Sequence, residues 1–116
     1  MSGVASCHCG KLRLRFAGEP GEAVSCNCSI CRRKGWLLTF LPASDCVLET
    51  PREQLATYTF REHKIRHHFC PTCGCAPFAE GAKPDGSEVF AVNLRCVDGL
   101  DLDALTIRPF DGASIP

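Results

Sequence analysis

Cys26-Asn27-Cys28-Ser29-Ile30-Cys31 places three thiols within six residues, and the reading of that stretch decides the rest of the chain. Thiols two and three positions apart in a tight turn aim at one point, which is what a tetrahedral metal ion requires. A structural disulfide gains most by closing a long loop and gives no reason for such short spacings. The same grammar recurs in Cys7-His8-Cys9 and in Cys70-Pro71-Thr72-Cys73. Cys-x-x-Cys is also a redox motif, but that role expects a helix at the first thiol, and Pro77 discourages one after Cys73-Gly74-Cys75-Ala76. Ten cysteines in 116 residues therefore read as metal ligands before they read as a disulfide framework or a redox dithiol.

Seven clustered thiols do not divide into two closed tetrahedral sites. Structural zinc takes four protein ligands, whereas catalytic zinc commonly takes three and keeps a position open. The natural division is four plus three. Cys7 and Cys9 with Cys70 and Cys73 make two knuckle-like halves that would pin the first strand to the second half of the chain. Cys26, Cys28 and Cys31 supply three ligands from one segment. Spacing also allows a closed second site, completed by Cys46, Cys75, Cys96 or a histidine. Cys46 and Cys96 lie in apolar surroundings and otherwise suit small buried hydrophobes.

Outside the cysteines the pattern is mainly β. Lys11 to Phe16 alternates polar and apolar, which puts Leu12, Leu14 and Phe16 on one face of a strand. Gly18-Glu19-Pro20-Gly21 reads as a turn and Ala23-Val24-Ser25 as a short strand leading into the triple-cysteine stretch. Arg32-Arg33-Lys34-Gly35 reads as one helical turn ended by glycine, followed by a strand from Trp36 to Leu41 that Pro42 stops. Further strands are expected at Cys46–Glu49, Leu55–Phe60, Ile65–Phe69 and Glu88–Leu94. Thr50-Pro51-Arg52-Glu53 has a helix-start pattern with Thr50 as the cap. Gly81 to Gly86 reads as a loop, and Asp101 to Leu105 as a short helix or turn. The expectation is a single β-rich domain over residues 1–116, with few short helical turns.

Composition excludes several classes. Thirteen basic residues cancel thirteen acidic ones, which argues against a cation-driven nucleic-acid binder. The longest apolar run, Trp36 to Leu41, is strand-sized and far short of the ~18 residues of a membrane helix. Met1 to Gly10 shows no basic region followed by an apolar stretch, so the expected location is the cytoplasm. The neutral total hides an asymmetry: residues 26–76 carry seven basic and four acidic side chains, and residues 77–116 three basic and seven acidic.

Cys7-His8-Cys9-Gly10, Cys26 to Gly35 with its Arg32-Arg33-Lys34, Phe69-Cys70-Pro71-Thr72-Cys73-Gly74 and Val92-Asn93-Leu94-Arg95-Cys96-Val97-Asp98-Gly99 together resemble the glutathione-dependent formaldehyde-activating enzyme (GFA) family. That resemblance covers nearly the whole chain in order. It implies small coiled β-sheets held by zinc, similar to the Rab-binding zinc protein Mss4. It implies two zinc ions per chain: a structural one on Cys7, Cys9, Cys70 and Cys73, and a catalytic one on Cys26, Cys28 and Cys31 whose open position takes the glutathione thiol. The implied activity is that of a carbon–sulfur lyase, joining formaldehyde and glutathione as S-hydroxymethylglutathione. The same family has a centromere-associated branch, so the alternative is a zinc-stabilised, non-catalytic binding module for a protein partner or a thiol.

The lyase reading assigns tasks. A free thiol has a pKa near ~8.5, and coordination to zinc removes its proton at neutral pH. Sulfur attack on formaldehyde then creates a hemithioacetal oxyanion that needs a proton. His67 or His68 is a candidate donor, and because strand neighbours face opposite ways at most one points to a given site. Glutathione carries carboxylates, which Arg32, Arg33 or Lys34 beside the cysteines could anchor.

Overall fold

The alternation from Leu12 to Phe16 is realised as its pattern requires: Leu12, Leu14 and Phe16 are buried, and Arg13 and Arg15 face outward. The computed structural model describes residues 2–18 and 22–114. Among these, strands β1 (Ser2–Ser6), β2 (Arg13–Ala17) and β5 (Cys46–Leu48) form a three-stranded antiparallel sheet in the order β1-β2-β5. Gly3 lies opposite Phe16 in this sheet, and a Cβ at Gly3 would sit 2.8 Å from the Phe16 ring. Glycine therefore lets the ring lie across the neighbouring strand.

Among the described residues seven strands form the second sheet: β3 (Ala23–Cys26), β4 (Leu38–Pro42), β6 (Ala56–Tyr58), β7 (Arg66–Phe69), β8 (Phe78–Ala82), β9 (Glu88–Asn93) and β10 (Ile107–Phe110). Their order is β10-β3-β4-β9-β8-β7-β6, antiparallel except for the parallel pair of β10 with β3. Pro109 cannot donate to a ladder, and β10 places it on an edge where that loss is tolerated. Leu14 and Phe16 from the small sheet pack with Leu41, Phe78, Phe90 and Val92 from the large one. Phe78 and Phe90 stack at 5.6 Å between ring centroids. Burying each of these side chains contributes about 1.5–3 kcal/mol. The chain is mostly β-sheet with few short helices, consistent with an Mss4-like arrangement. No helix among the described residues is long and apolar enough to cross a membrane.

The structure departs from the sequence expectations in particular places. The strand expected from Trp36 starts at Leu38, because Leu37 N donates to the Asn93 side chain (3.3 Å) instead of joining a ladder, and it runs through Pro42. Thr50 caps no helix: its hydroxyl accepts from Arg13 N (2.8 Å) and donates to Lys11 O (3.0 Å), which ties it to the start of β2. A 3-10 turn at Arg52–Gln54 follows with Pro51 as its flanking residue. Gly81 and Ala82 belong to β8 rather than to a loop, and the chain turns at residues 83–87. Glu19, Pro20 and Gly21 of the expected turn lie outside the described residues.

One buried carboxylate organises the far edge of the large sheet. Glu80 on β8 accepts from both terminal nitrogens of Arg52 (2.8 and 3.1 Å) and from His68 Nε2 (2.7 Å), while His68 Nδ1 meets the Thr57 hydroxyl at 2.8 Å. Burial raises the Glu80 carboxyl pKa, but Arg52 and His68 outweigh it and hold the group below the usual carboxylate range. His68 is thereby engaged on both nitrogens.

Candidate metal centres and the adjoining cleft

Strand ends deliver the cysteines. β1 stops one residue before Cys7, β7 one residue before Cys70, and β3 ends on Cys26 itself. The two distant knuckles are built alike. In the first, Gly10 N donates to Cys7 O (3.1 Å) with Gly10 at φ 84°, and Leu12 N donates to Cys7 Sγ (3.2 Å). In the second, Gly74 N donates to Cys70 O (2.8 Å) with Gly74 at φ 81°, and Thr72 N and Cys73 N both donate to Cys70 Sγ at 3.4 Å. Only glycine adopts such a left-handed conformation without strain.

These turns bring the sulfurs of Cys7, Cys9, Cys70 and Cys73 within 4.8 Å of one another. Cys7 to Cys9 is 3.6 Å and Cys9 to Cys70 is 3.5 Å. A tetrahedron with zinc–sulfur bonds of about 2.3 Å has edges of about 3.8 Å, so the donor set fits zinc in type, number and spacing. The backbone N–H groups of Cys75 and then Cys9 hold the Cys73 thiol down to about 5. Amides aimed at sulfur favour the thiolate, the form a metal binds.

The second cluster comprises Cys26, Cys28 and Cys31, again with all sulfurs within 4.8 Å. Cys28 N donates to Cys26 Sγ (3.4 Å), and Cys31 opens the helical turn α1 (Cys31–Lys34). Gly35 ends that turn at φ 68°, as the sequence pattern anticipates. Burial pushes the Cys31 thiol up to about 12, with Cys28 and Cys26 adding to it. Among the described residues no fourth cysteine, histidine or carboxylate joins this cluster. Cys46 and Cys96 pack instead against the core between the sheets, and Cys75 packs beside the four-cysteine cluster.

A turn near the C-terminus crosses the same cluster. Asn27 Nδ2 donates to Asp111 Oδ1 (3.0 Å) and Asn27 Oδ1 accepts from Ala113 N (2.9 Å), latching this turn onto the cysteine loop. A Cβ at Gly112 would lie 2.5 Å from Cys26 Sγ and 3.1 Å from Cys28 Cβ. Sequence reasoning missed this glycine, which reaches the site only through the parallel pairing of β10 with β3.

Cys26 and Cys31 also line a cleft of ≈ 580 Å³, walled by Arg32, Trp36, Arg95 and Phe110. Clefts of this size accommodate small-molecule ligands. The structure separates the three expected cations. Arg32 lines the cleft, Arg33 Nη1 donates to Ser29 O (2.7 Å), and Lys34 Nζ sits 5.3 Å from the Phe69 ring centroid. His67 is buried, stacked on Trp36 (5.8 Å) and Phe60 (5.5 Å), with neither ring nitrogen hydrogen-bonded among the described residues. Neither His67 nor His68 lines the cleft. Arg95, which does, stands in the motif of residues 92–99, to which the sequence assigned no task at the site.

The fold and the paired cysteine clusters define a small, mainly β class of protein equipped to bind metal through sulfur. A family model described as glutathione-dependent formaldehyde-activating enzyme matches residues 3–109, and the chain belongs to that family. It is also similar to a Rhodobacter sphaeroides protein of known crystal structure, at 26% identity and a TM-score of 0.75, covering 93% of this chain and 100% of that one.

Proposed function

We propose that residues 1–116 form a single GFA-type zinc-binding domain with two zinc ions, acting as a carbon–sulfur lyase on glutathione–aldehyde adducts or a related small thiol conjugate. Cys7, Cys9, Cys70 and Cys73 hold the structural ion; Cys26, Cys28 and Cys31 hold the catalytic one. The observation that carries this reading is a three-thiol cluster with no fourth protein ligand among the described residues, two of whose cysteines line a cleft. Zinc bound there supplies a position at which a substrate thiol is held as its thiolate at neutral pH. The chain's own residues do the rest: the cleft admits the thiol, Trp36 and Phe110 give it an apolar wall, and Arg32 supplies positive charge. Arg33 and Lys34, on the same turn as Cys31, add further positive charge for a substrate carboxylate. A reducing compartment such as the cytoplasm suits a protein whose ten cysteines form no disulfide among themselves.

Cobalt substitution tests the reading. Glutathione added to the cobalt-loaded chain should intensify the sulfur-to-metal charge-transfer absorption, because a further thiolate joins the three. An unchanged spectrum with glutathione and with a panel of small thiols would transfer the protein to the non-catalytic binding class.

Gly112 makes a separate prediction. Gly112→Ala drives a methyl group into Cys26 Sγ, so metal analysis should show loss of the ion at the three-cysteine cluster and retention of the other. Full metal content in this variant would show that the C-terminal turn moves freely away from the site.

A further inference from the structure

We propose that Arg95 selects which thiols the cleft accepts, by pairing its guanidinium with a carboxylate of the incoming molecule. The proposal rests on the reading of the three-cysteine cluster as the thiol site, and it narrows the substrate class to anionic thiols. Position is the first argument: Arg95 lines the same cleft as Cys26 and Cys31.

Preorganisation is the second. Arg95 Nε donates to Gly35 O at 2.8 Å, at the left-handed residue that ends α1. Its backbone is set by Asn93, whose Oδ1 accepts from Arg95 N (3.2 Å) and Leu37 N (3.3 Å) and whose Nδ2 donates to Ala76 O (3.1 Å). With Nε engaged, both terminal nitrogens remain on the edge that grips a carboxylate through two parallel bonds.

Availability is the third. Arg13, Arg15, Arg52, Arg66 and Arg108 each face a glutamate within 4 Å. Among the described residues Arg95 has no acidic partner. Asp111 also lines the cleft, but its two oxygens accept from Asn27 (3.0 Å) and Ser114 Oγ (2.6 Å) and serve the C-terminal latch. Arg32 and Arg95 are thus left as the cleft's uncommitted charges, beside a thiolate cluster that repels a ligand's carboxylate unless it is directly bonded.

Calorimetry on the zinc-loaded full chain tests this with three probes: glutathione, its dimethyl ester and cysteamine. Unmodified protein should bind glutathione about tenfold or more tightly than the ester, the scale of one charge-assisted pair. Arg95→Gln should abolish that preference and leave cysteamine binding unchanged, and Arg95→Lys should restore only part of it. Equal affinity of the unmodified protein for glutathione and ester overturns the proposal without any variant having to fold. Equal weakening of glutathione and cysteamine by Arg95→Gln overturns it too, showing a structural role while the thiol site stands. Failure of all three probes to bind the unmodified protein removes both the thiol site and the selection built on it.

Discussion

Replacing Cys70 by Ser is expected to leave a chain that no longer holds its fold at room temperature. Cys70 is fully buried, and its sulfur accepts from two backbone amides while lying 3.5 Å from Cys9, 61 residues earlier. Serine puts a shorter, harder donor there that keeps its proton at neutral pH, and the four-ligand set is broken. Binding of structural zinc releases about 10–16 kcal/mol in small zinc-folded peptides, which matches or exceeds the whole stability of a typical domain at 5–15 kcal/mol. The knuckle at Cys70 also anchors β7 and β8 to the start of β2, so its loss reaches both sheets. Circular dichroism melts of the variant should show no cooperative transition, and the unmodified chain should behave alike once a strong chelator has removed its metal. A soluble Cys70→Ser chain with the parent's melting temperature would rule out the structural assignment of these four cysteines.

How much of this was legible beforehand follows from where each signal resides. β2 and β9 carry local patterns, alternation in one and an apolar β-branched run in the other, and these survive into the structure. β8 was not legible: Phe78-Ala79-Glu80-Gly81-Ala82 has no β-branched residue and includes a buried acid. It becomes a strand because β9 pairs with it and Arg52 and His68 neutralise Glu80. β1, built from Ser2-Gly3-Val4-Ala5-Ser6, has similarly weak propensity and is fixed by its register on β2. β10 was masked by Pro109, whose harm depends on whether a strand is central or at an edge, a matter of topology. The cysteine clusters were legible because metal ligands within one turn must be close in sequence. Arg95 and Gly112 were not, since each reaches the cleft through pairing between segments far apart in the chain. Proximity to Cys31 in sequence puts Arg32, Arg33 and Lys34 on one helical turn, but successive helical positions point in different directions, and only Arg32 of the three lines the cleft.

The three-cysteine cluster should separate cleanly from the scaffold. Cys26, Cys28 and Cys31 belong to one segment, and α1 keeps its own backbone bonds, Lys34 N to Ile30 O (2.9 Å) and Gly35 N to Cys31 O (2.8 Å). Cys28 is half-buried, and its backbone is held by Arg32 N donating to Cys28 O (3.0 Å), a bond that serine leaves intact. Cys28→Ser should therefore fold with a melting temperature close to the parent's while its zinc content falls from two ions to one. Without that ion a thiol in the cleft keeps its ordinary pKa near ~8.5 and is mostly protonated at pH 7. The neutral thiol is both a weaker ligand and a poorer nucleophile, so glutathione binding should drop by at least tenfold and any lyase activity should vanish. Raising the pH should recover little, because a thiolate formed in solution has no cation in the cleft to meet and faces the remaining cysteines instead. Metal analysis, thermal melts and calorimetry on one preparation decide the matter. A folded Cys28→Ser protein that retains two zinc ions would place the second ion elsewhere. One that loses the ion yet binds glutathione as before would take the metal out of substrate recognition and leave the arginines at the cleft as its basis.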